Sequence, residues 1–218
     1  MEEALEVWKK GDTFLEIHQD DNPESPREWD NLGKMLCTHG RYTLGDENYN
    51  DRESLDERLE ELDPVVKLPL WLLDHSGLTM QTGEFTEDAQ HWDSGQVGWI
   101  VATKNDILDN FTGYDKGGKR KPMKTKITPQ MVKDSHGILM SEVETYSKYL
   151  CGAVYGYITK KVDTCDKCNH TENISVYSCW GYYDIKDIID EVQKSMGAKE
   201  LSYSDNIKIL QQDGWVQQ

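Results

Sequence analysis

Histidine and aspartate side chains cluster in polar loops at the ends of two apolar runs, residues 65–73 and 97–102. Loops at strand ends are where a rigid scaffold commonly holds reacting groups. A histidine beside a carboxylate suits general-base catalysis or metal binding. The candidate pocket residues are His39, Asp46, Asp74, His75, Asp93 and Gln96.

The spacing of these pocket residues matches no known catalytic motif. The chain contains no nucleophile elbow, phosphate-binding loop or zinc-protease helix. The residue types therefore fit three interpretations. These are a small-molecule or nucleotide pocket, a metal-dependent hydrolytic site, and structural turns whose polar side chains are satisfied.

Two cysteines separated by two residues form the sharpest local motif. Cys165 and Cys168 fall at the tip of a predicted hairpin, where both thiolates could bind one zinc ion. His170 or Cys179 would supply further ligands, but Cys179 lies well inside the returning strand. The motif therefore fits either a small zinc-containing interaction module or unligated thiols. A redox pair is disfavoured, because such pairs usually lie at a helix N-terminus.

Acidic residues dominate the first part of the chain. The formal net charge is −16, and residues 1–63 carry 19 acidic and 7 basic residues. Such a surface repels nucleic acid and membranes and steers encounter with basic proteins, although it also simply favours solubility. The candidate partner-binding surface consists of Glu47, Asp51, Glu53, Asp56, Glu57, Glu60 and Glu61. The single basic cluster, residues 116–126, predicts a mobile, solvated loop.

Local signals predict the elements that would position these groups. A capping-box pattern at residues 25–28 predicts a short helix that ends at His39. Leucines at helical spacing, with acids on the remaining face, predict a second helix at residues 52–62. A long helix opens at Thr128 and is interrupted or restarted near Gly137.

The remaining periodicity predicts strands and one more helix. The apolar runs 65–73 and 97–102 predict buried strands. Alternation over residues 154–162 and 174–182 predicts a hairpin, and residues 185–196 carry an apolar helical stripe.

This pattern predicts an α+β protein with a mixed or antiparallel sheet and several flanking amphipathic helices, in one domain over residues 1–218. Residues 1–24 would form an acidic N-terminal extension, and residues 197–218 a C-terminal tail. The chain lacks an apolar run of about 18 residues and a signal peptide, and its five cysteines are an odd number. We therefore expect a cytoplasmic protein without a disulfide framework.

Six segments carry a resemblance to a known family. They are residues 25–33 (SPREWDNLG), 41–46 (RYTLGD), 74–77 (DHSG), 92–98 (WDSGQVG), 142–146 (EVETY) and 178–182 (SCWGY). In their residues and in their order along the chain, these segments resemble a family of small proteins encoded by bacteriophages and other mobile elements, for which no activity is established. The resemblance implies a genetic context and no mechanism.

Together these features favour an accessory protein that acts by binding and leave enzymatic activity open. The expected partner is a host protein with a basic surface, and the expected effect is inhibition of nucleic-acid-handling or defence machinery. No direct contact with nucleic acid or membrane is expected. The alternatives are the His/Asp pocket and the zinc-containing module described above.

Overall fold

The computed structural model describes residues 4–10, 13–113, 115–122, 124–164, 171–195 and 216–217. Within these residues the chain forms four helices and two five-stranded sheets, one antiparallel and the other mixed. The predicted α+β class, with helices flanking the sheets, is confirmed. The chain divides into a central unit, Ser25–Cys151, and a terminal unit made of Met1–Glu24 and Gly152–Gln218.

The elements are named in chain order. They are β1 (Glu6–Lys10), β2 (Thr13–Gln19), β3 (Lys34–Thr38), β4 (Glu47–Tyr49), α1 (Arg52–Leu62), β5 (Val66–Asp74), β6 (Leu78–Thr82), β7 (Ser94–Ala102), α2 (Lys104–Asn110), α3 (Pro129–Leu150), β8 (Tyr155–Thr164), β9 (Thr171–Tyr182), α4 (Ile185–Ser195) and β10 (Val216–Gln217).

The terminal unit is an antiparallel sheet in the order β10–β1–β2–β8–β9. Helix α4 packs on one face of this sheet, because its apolar stripe has the spacing of one helix face. The buried residues of this core are Trp8, Leu15, Ile17, Tyr157, Ile188, Ile189 and Val192.

The central unit is a mixed sheet in the order β4–β3–β7–β5–β6, in which only β3 and β4 are parallel. Side chains alternate between the two faces of each strand. Met35 and Cys37 therefore join the core beneath α2 and α3, while Leu36 packs with Leu55 and Leu59 of α1. The sheet is thus covered by helices on both faces around β3 and β7.

The predicted helix from Ser25 to His39 is wrong. Ser25 does cap a turn, since its hydroxyl accepts from Arg27 N at 3.3 Å, but this turn is a 3-10 helix that ends at Glu28. The rest of the segment contains β3, which is buried on both faces between layers of helices. A strand that is buried on both faces has a continuous run of apolar residues. The spacing of apolar residues alone does not distinguish such a strand from a buried helix.

Other predicted segments differ from the structure in extent. Residues 6–19, predicted to lie in an acidic extension, contain β1 and β2 of the terminal sheet. The alternation of residues 13–18 does predict a half-buried strand, and β2 confirms it. Of the predicted tail, Val216–Gln217 pair with β1, and the others lie outside the described residues. Helix α3 runs unbroken through Gly137.

The predicted basic loop contains an ordered turn. The Asp115 carboxylate accepts from the backbone N–H groups of Gly117 and Lys119, both at 2.9 Å. Lys121 N donates to Gly113 O at 3.0 Å. These internal hydrogen bonds present the lysines of this segment on a defined turn.

A buried ion cluster joins the start of β3 to α3. Arg27, whose side chain is 5% exposed, donates to Asp46 at 2.7 Å, to Glu142 at 3.2 Å and to Gly33 O at 2.6 Å. Glu142 also accepts from Leu32 N at 2.7 Å. Burial raises the pKa of Glu142, although these donors oppose that rise. The cluster fixes where the chain enters the central sheet.

We expect Arg27→Ala to lower the free energy of unfolding by about 3–5 kcal/mol, because it leaves two carboxylates without their buried counter-ion. Urea unfolding followed by circular dichroism measures the change. The matched control is Lys148→Ala, which removes a partner of the exposed Glu144 at 3.5 Å and costs at most about 1 kcal/mol. Equal effects of the two substitutions would contradict a stabilising role for the cluster.

No helix among the described residues has the length and apolar character needed to cross a membrane.

Candidate functional site

The central unit has an open cleft of about 470 Å³ at one edge of its sheet. Because β7 is antiparallel to both β3 and β5, its first residues lie beside the last residues of those strands. Three segments distant in sequence therefore meet there. The cleft is lined by Thr38, His39, Gly40, Arg41, Leu72, Asp74, Trp92, Asp93, Ser94, Gly95, Gln96 and Val97. We call it the Trp92 cleft.

His39 is held by the loop that follows β3. Its Nδ1 accepts from the backbone N–H groups of Arg41 and Tyr42, both at 3.2 Å, and its ring stacks on Tyr42 at 5.0 Å. A ring nitrogen that accepts two hydrogen bonds cannot also carry the proton, so the neutral ring is protonated at Nε2. His39 therefore presents an N–H donor.

Arg41 and Asp74 form an ion pair on the wall of the cleft. Tyr42 donates its hydroxyl to the same Asp74 carboxylate at 3.2 Å, and the Arg41 guanidinium lies 5.3 Å from the Tyr42 ring centroid. The Arg41 side chain is nevertheless 69% exposed. It is thus oriented by two neighbours while remaining accessible.

Asp88 organises the loop that precedes β7. Its carboxylate accepts from three consecutive backbone N–H groups, those of Trp92 at 3.2 Å, Asp93 at 3.0 Å and Ser94 at 2.8 Å. Hydrogen bonds from Ser94 and from the other two N–H groups lower the pKa of Asp88, because they favour its ionised form. The loop is therefore fixed at its base.

Trp92 stands at the end of this loop with 82% of its surface exposed. Among the large apolar side chains of the described residues, it is the most exposed. Beside it, the Asp93 carboxylate accepts a hydrogen bond from His75 Nδ1 at 3.0 Å. The cleft thus combines an exposed indole with an arginine, two aspartates and two histidines.

The structure brings together most of the predicted pocket. His39, Asp74, Asp93 and Gln96 line the cleft, and His75 contacts it through Asp93. Asp46 does not belong there, because its carboxylate accepts from Arg27 and from Met35 N at 2.6 Å. It serves the buried ion cluster instead.

Sequence reasoning did not assign site roles to Arg41 or Trp92. A tryptophan within a polar loop of aspartate, histidine and serine was the available signal for Trp92, since such a loop offers an indole little to pack against. The signal for Arg41 was weaker, because its pairing with Asp74 depends on strand order.

The predicted acidic surface is only partly unpaired. Glu47 accepts hydrogen bonds from Lys34 at 3.0 Å and from Arg58 at 3.1 Å. Burial raises the pKa of Glu47, but the hydrogen bonds from Arg58, Tyr49 and Lys34 outweigh burial and lower this pKa to about 2. Asp51 caps α1 by accepting from Ser54 N at 2.8 Å. Asp56 and Glu61 pair with Arg52 and Arg58.

Three acids of the candidate surface, Glu53, Glu57 and Glu60, form no ion pair within the described part of the chain. All three are exposed on α1. They form a solvated acidic stripe, which we call the α1 stripe.

The zinc prediction falls mainly outside the described residues, where Cys165, Cys168 and His170 lie. Cys179 is described, and it packs at the edge of the core beneath α4. Among the described residues, no three His, Cys, Asp or Glu side chains form a group that could hold a metal ion.

Comparison with protein-family models, curated proteins and solved structures finds no match to the chain. Its function must therefore be argued from the geometry of its own residues.

We expect Asp88→Ala to loosen the loop that carries Trp92, because three backbone N–H groups lose their common acceptor. Hydrogen–deuterium exchange of residues 92–94 should accelerate by about tenfold or more, while exchange in α3 stays unchanged. The control is Glu87→Ala, a neighbouring exposed acid. Unchanged exchange at residues 92–94 in the Asp88 variant would show that the loop is held by other contacts.

Proposed function

We propose that this chain acts by binding a basic segment of another protein at the Trp92 cleft. The supporting observation is the position of Trp92, whose exposed indole stands beside the Asp93 carboxylate on a loop anchored by Asp88. Tryptophan and arginine are the residues most enriched among those that dominate binding energy in protein interfaces. The cleft presents an exposed tryptophan, while its arginine, Arg41, is paired with Asp74.

The surroundings of Trp92 favour a cationic ligand. Residues 84–93 contain four acidic residues and no lysine or arginine. A guanidinium or ammonium group over an indole gains from the negative face of the ring, and an adjacent carboxylate adds a charge-assisted hydrogen bond. An arginine side chain of the partner would therefore stack on Trp92 and reach Asp93.

The α1 stripe would extend this recognition through long-range attraction. Strand β4 is parallel to β3, so α1, which starts three residues after β4, begins at the edge of the sheet where the cleft lies. Exposed like charges of this kind accelerate association with an oppositely charged surface. Their effect falls as salt screens them.

The partner that we propose is a host protein in the cytoplasm of a cell that carries a bacteriophage or other mobile element. This step rests on the resemblance of segments such as residues 25–33 and 92–98. Proteins that handle nucleic acid have basic surfaces, and an acidic binder that occupies such a surface would inhibit them. The chain would then act as an accessory inhibitor.

A fluorescent arginine-rich peptide tests the cleft. We expect Trp92→Ala to weaken binding at least tenfold, mainly through faster dissociation, because a central aromatic contact is lost. Replacing Glu53, Glu57 and Glu60 together with glutamine should slow association and flatten its salt dependence. Surface plasmon resonance at several salt concentrations separates the two effects.

The matched control for that experiment is Trp29→Ala, which removes another exposed tryptophan of the central unit. A second control is a peptide of the same length with glutamine for every arginine. If the Trp92 variant binds as tightly as the wild-type chain, or if the glutamine peptide binds equally, the cleft is not a site for basic segments.

A second candidate function is a small-molecule pocket with hydrolytic activity at the same cleft. It is supported by the His75–Asp93 hydrogen bond of 3.0 Å and by the nearby N–H donor of His39. A histidine oriented by a carboxylate can serve as a general base. The pair is exposed, so a bound substrate would have to cover it.

Assays with generic carboxylic-ester and phosphate-ester substrates test this candidate. If the wild-type chain turns over such a substrate, replacing Asp74 and His75 together with alanine should lower kcat by about 10²–10⁴-fold. The folded double variant should still bind through Trp92. Absence of turnover in the wild-type chain, or turnover that survives the double substitution, would remove the hydrolytic candidate.

A further inference from the structure

The face of the terminal sheet opposite α4 carries an aromatic and basic surface. Strand pairing places Trp180, Gly156 and His18 side by side across β9, β8 and β2. Pairing also places Lys160 beside Phe14, farther along the same face. Side chains of this face alternate with those buried under α4.

Trp180 lies flat on the backbone of Gly156. A Cβ at position 156 would collide with Cε3 and Cδ2 of the indole, so glycine is needed for this close approach. One face of the ring is therefore held against the sheet. The residue remains 45% exposed, which leaves its outer surface open to solvent.

His18 stands next to this indole in a fixed orientation. The two ring centroids are 6.2 Å apart, and His18 Nε2 is 3.1 Å from Glu16 Oε2. The same carboxylate oxygen accepts from Lys160 Nζ at 2.6 Å. The side chains of His18, Glu16 and Lys160 are each about four-fifths buried or more.

The Lys160–Glu16 pair determines which nitrogen of His18 carries the proton. Burial raises the pKa of Glu16, but the hydrogen bonds from Lys160 and His18 outweigh it, so the carboxyl is ionised and can only accept. His18 Nε2 must then carry the proton. In the neutral ring Nδ1 is left as an acceptor, and it makes no hydrogen bond to another described residue.

We propose that this face binds a nucleobase, stacked on Trp180 and hydrogen-bonded through a ring or amino N–H to His18 Nδ1. An indole held flat on a sheet gives the planar contact that base stacking requires. An oriented acceptor at its edge matches the N–H donors that nucleobases present. This site is independent of the function proposed for the Trp92 cleft.

Charge on this face is compatible with a nucleotide despite the acidic total of the chain. The face carries Lys9 and Lys160 against Glu16, which pairs with Lys160, and Lys9 Nζ lies 5.1 Å from the Phe14 ring centroid. Lys160 is four residues from Gly156 along β8, which corresponds to about 13 Å. Lys9, which lies in register with Phe14 and Lys160, would contact a phosphate of a strand more readily than the phosphate of a mononucleotide, whereas Lys160 is held by Glu16.

Equilibrium binding of adenosine monophosphate, cytidine monophosphate and a single-stranded oligodeoxyadenylate of about six nucleotides tests the site. We expect Trp180→Ala to weaken binding by about fivefold to a hundredfold, and His18→Phe by about two- to tenfold. Trp180→Leu keeps an apolar contact with Gly156 without a ring and should resemble the alanine variant. Because at most two lysines contact phosphates, the logarithmic salt slope for the oligonucleotide should be no steeper than about −1.4.

The matched control is Tyr177→Ala, which removes an exposed aromatic ring from the same strand on the face of Tyr157. Equal binding of mononucleotides and oligonucleotide would identify a free nucleotide as the ligand. Tighter oligonucleotide binding that Lys9→Ala weakens would identify a base within a single strand. The proposal is overturned if the wild-type chain binds none of these probes, or if all three Trp180 and His18 variants bind as tightly as the Tyr177 control.

Discussion

The Trp92 cleft depends on the central position of β7 in its sheet. This strand is hydrogen-bonded to β3 on one side and β5 on the other, both antiparallel, so its first residues meet the ends of two other strands. Gly98 makes the pairing with β3 possible, because a Cβ there would collide with the carbonyl oxygen of Leu36. The loops carrying His39, Asp74 and Trp92 converge as a consequence of this pairing. Strand order, more than any local motif, therefore creates the site.

The acidic excess of the chain is divided between internal pairing and open surface. Asp46 and Glu142 enclose Arg27, and Glu16 holds Lys160, so these carboxylates contribute to structure and little to the external field. Removing one partner of a buried ion pair destabilises the fold, because it leaves the other charge buried without a counter-ion. The acids left on the surface include the α1 stripe and the acids of residues 84–93. A net charge of −16 therefore overstates what a partner would meet at any one surface.

Elements with a regular period were predictable from the sequence, and those decided by tertiary pairing were not. Helix α1 lies where its leucines repeat, and β8 and β9 form the expected hairpin. The sequence predicts a helix where β3 lies, because this strand is apolar on both faces and follows a genuine capping serine. For the site, residues beside buried strands were recognisable as a group. Asp46 lies outside the Trp92 cleft and Arg41 lies within it because of the side chains that meet when the strands pair. The periodicity of the sequence does not encode these pairings.

The two exposed tryptophans show how surroundings decide what an indole binds. Trp92 stands among carboxylates on a loop rich in acids, where a cation gains from both the ring and its neighbours. Trp180 lies on a sheet face that carries Lys9 and Lys160 against Glu16, and the centroid of its ring lies 6.2 Å from that of His18. The Glu16 carboxylate is already paired with Lys160, so a cation would gain little from it, whereas a neutral planar ring needs no counter-charge. The same side chain thus favours an arginine in one unit and a nucleobase in the other, and the difference lies in the polar and charged groups that surround each ring.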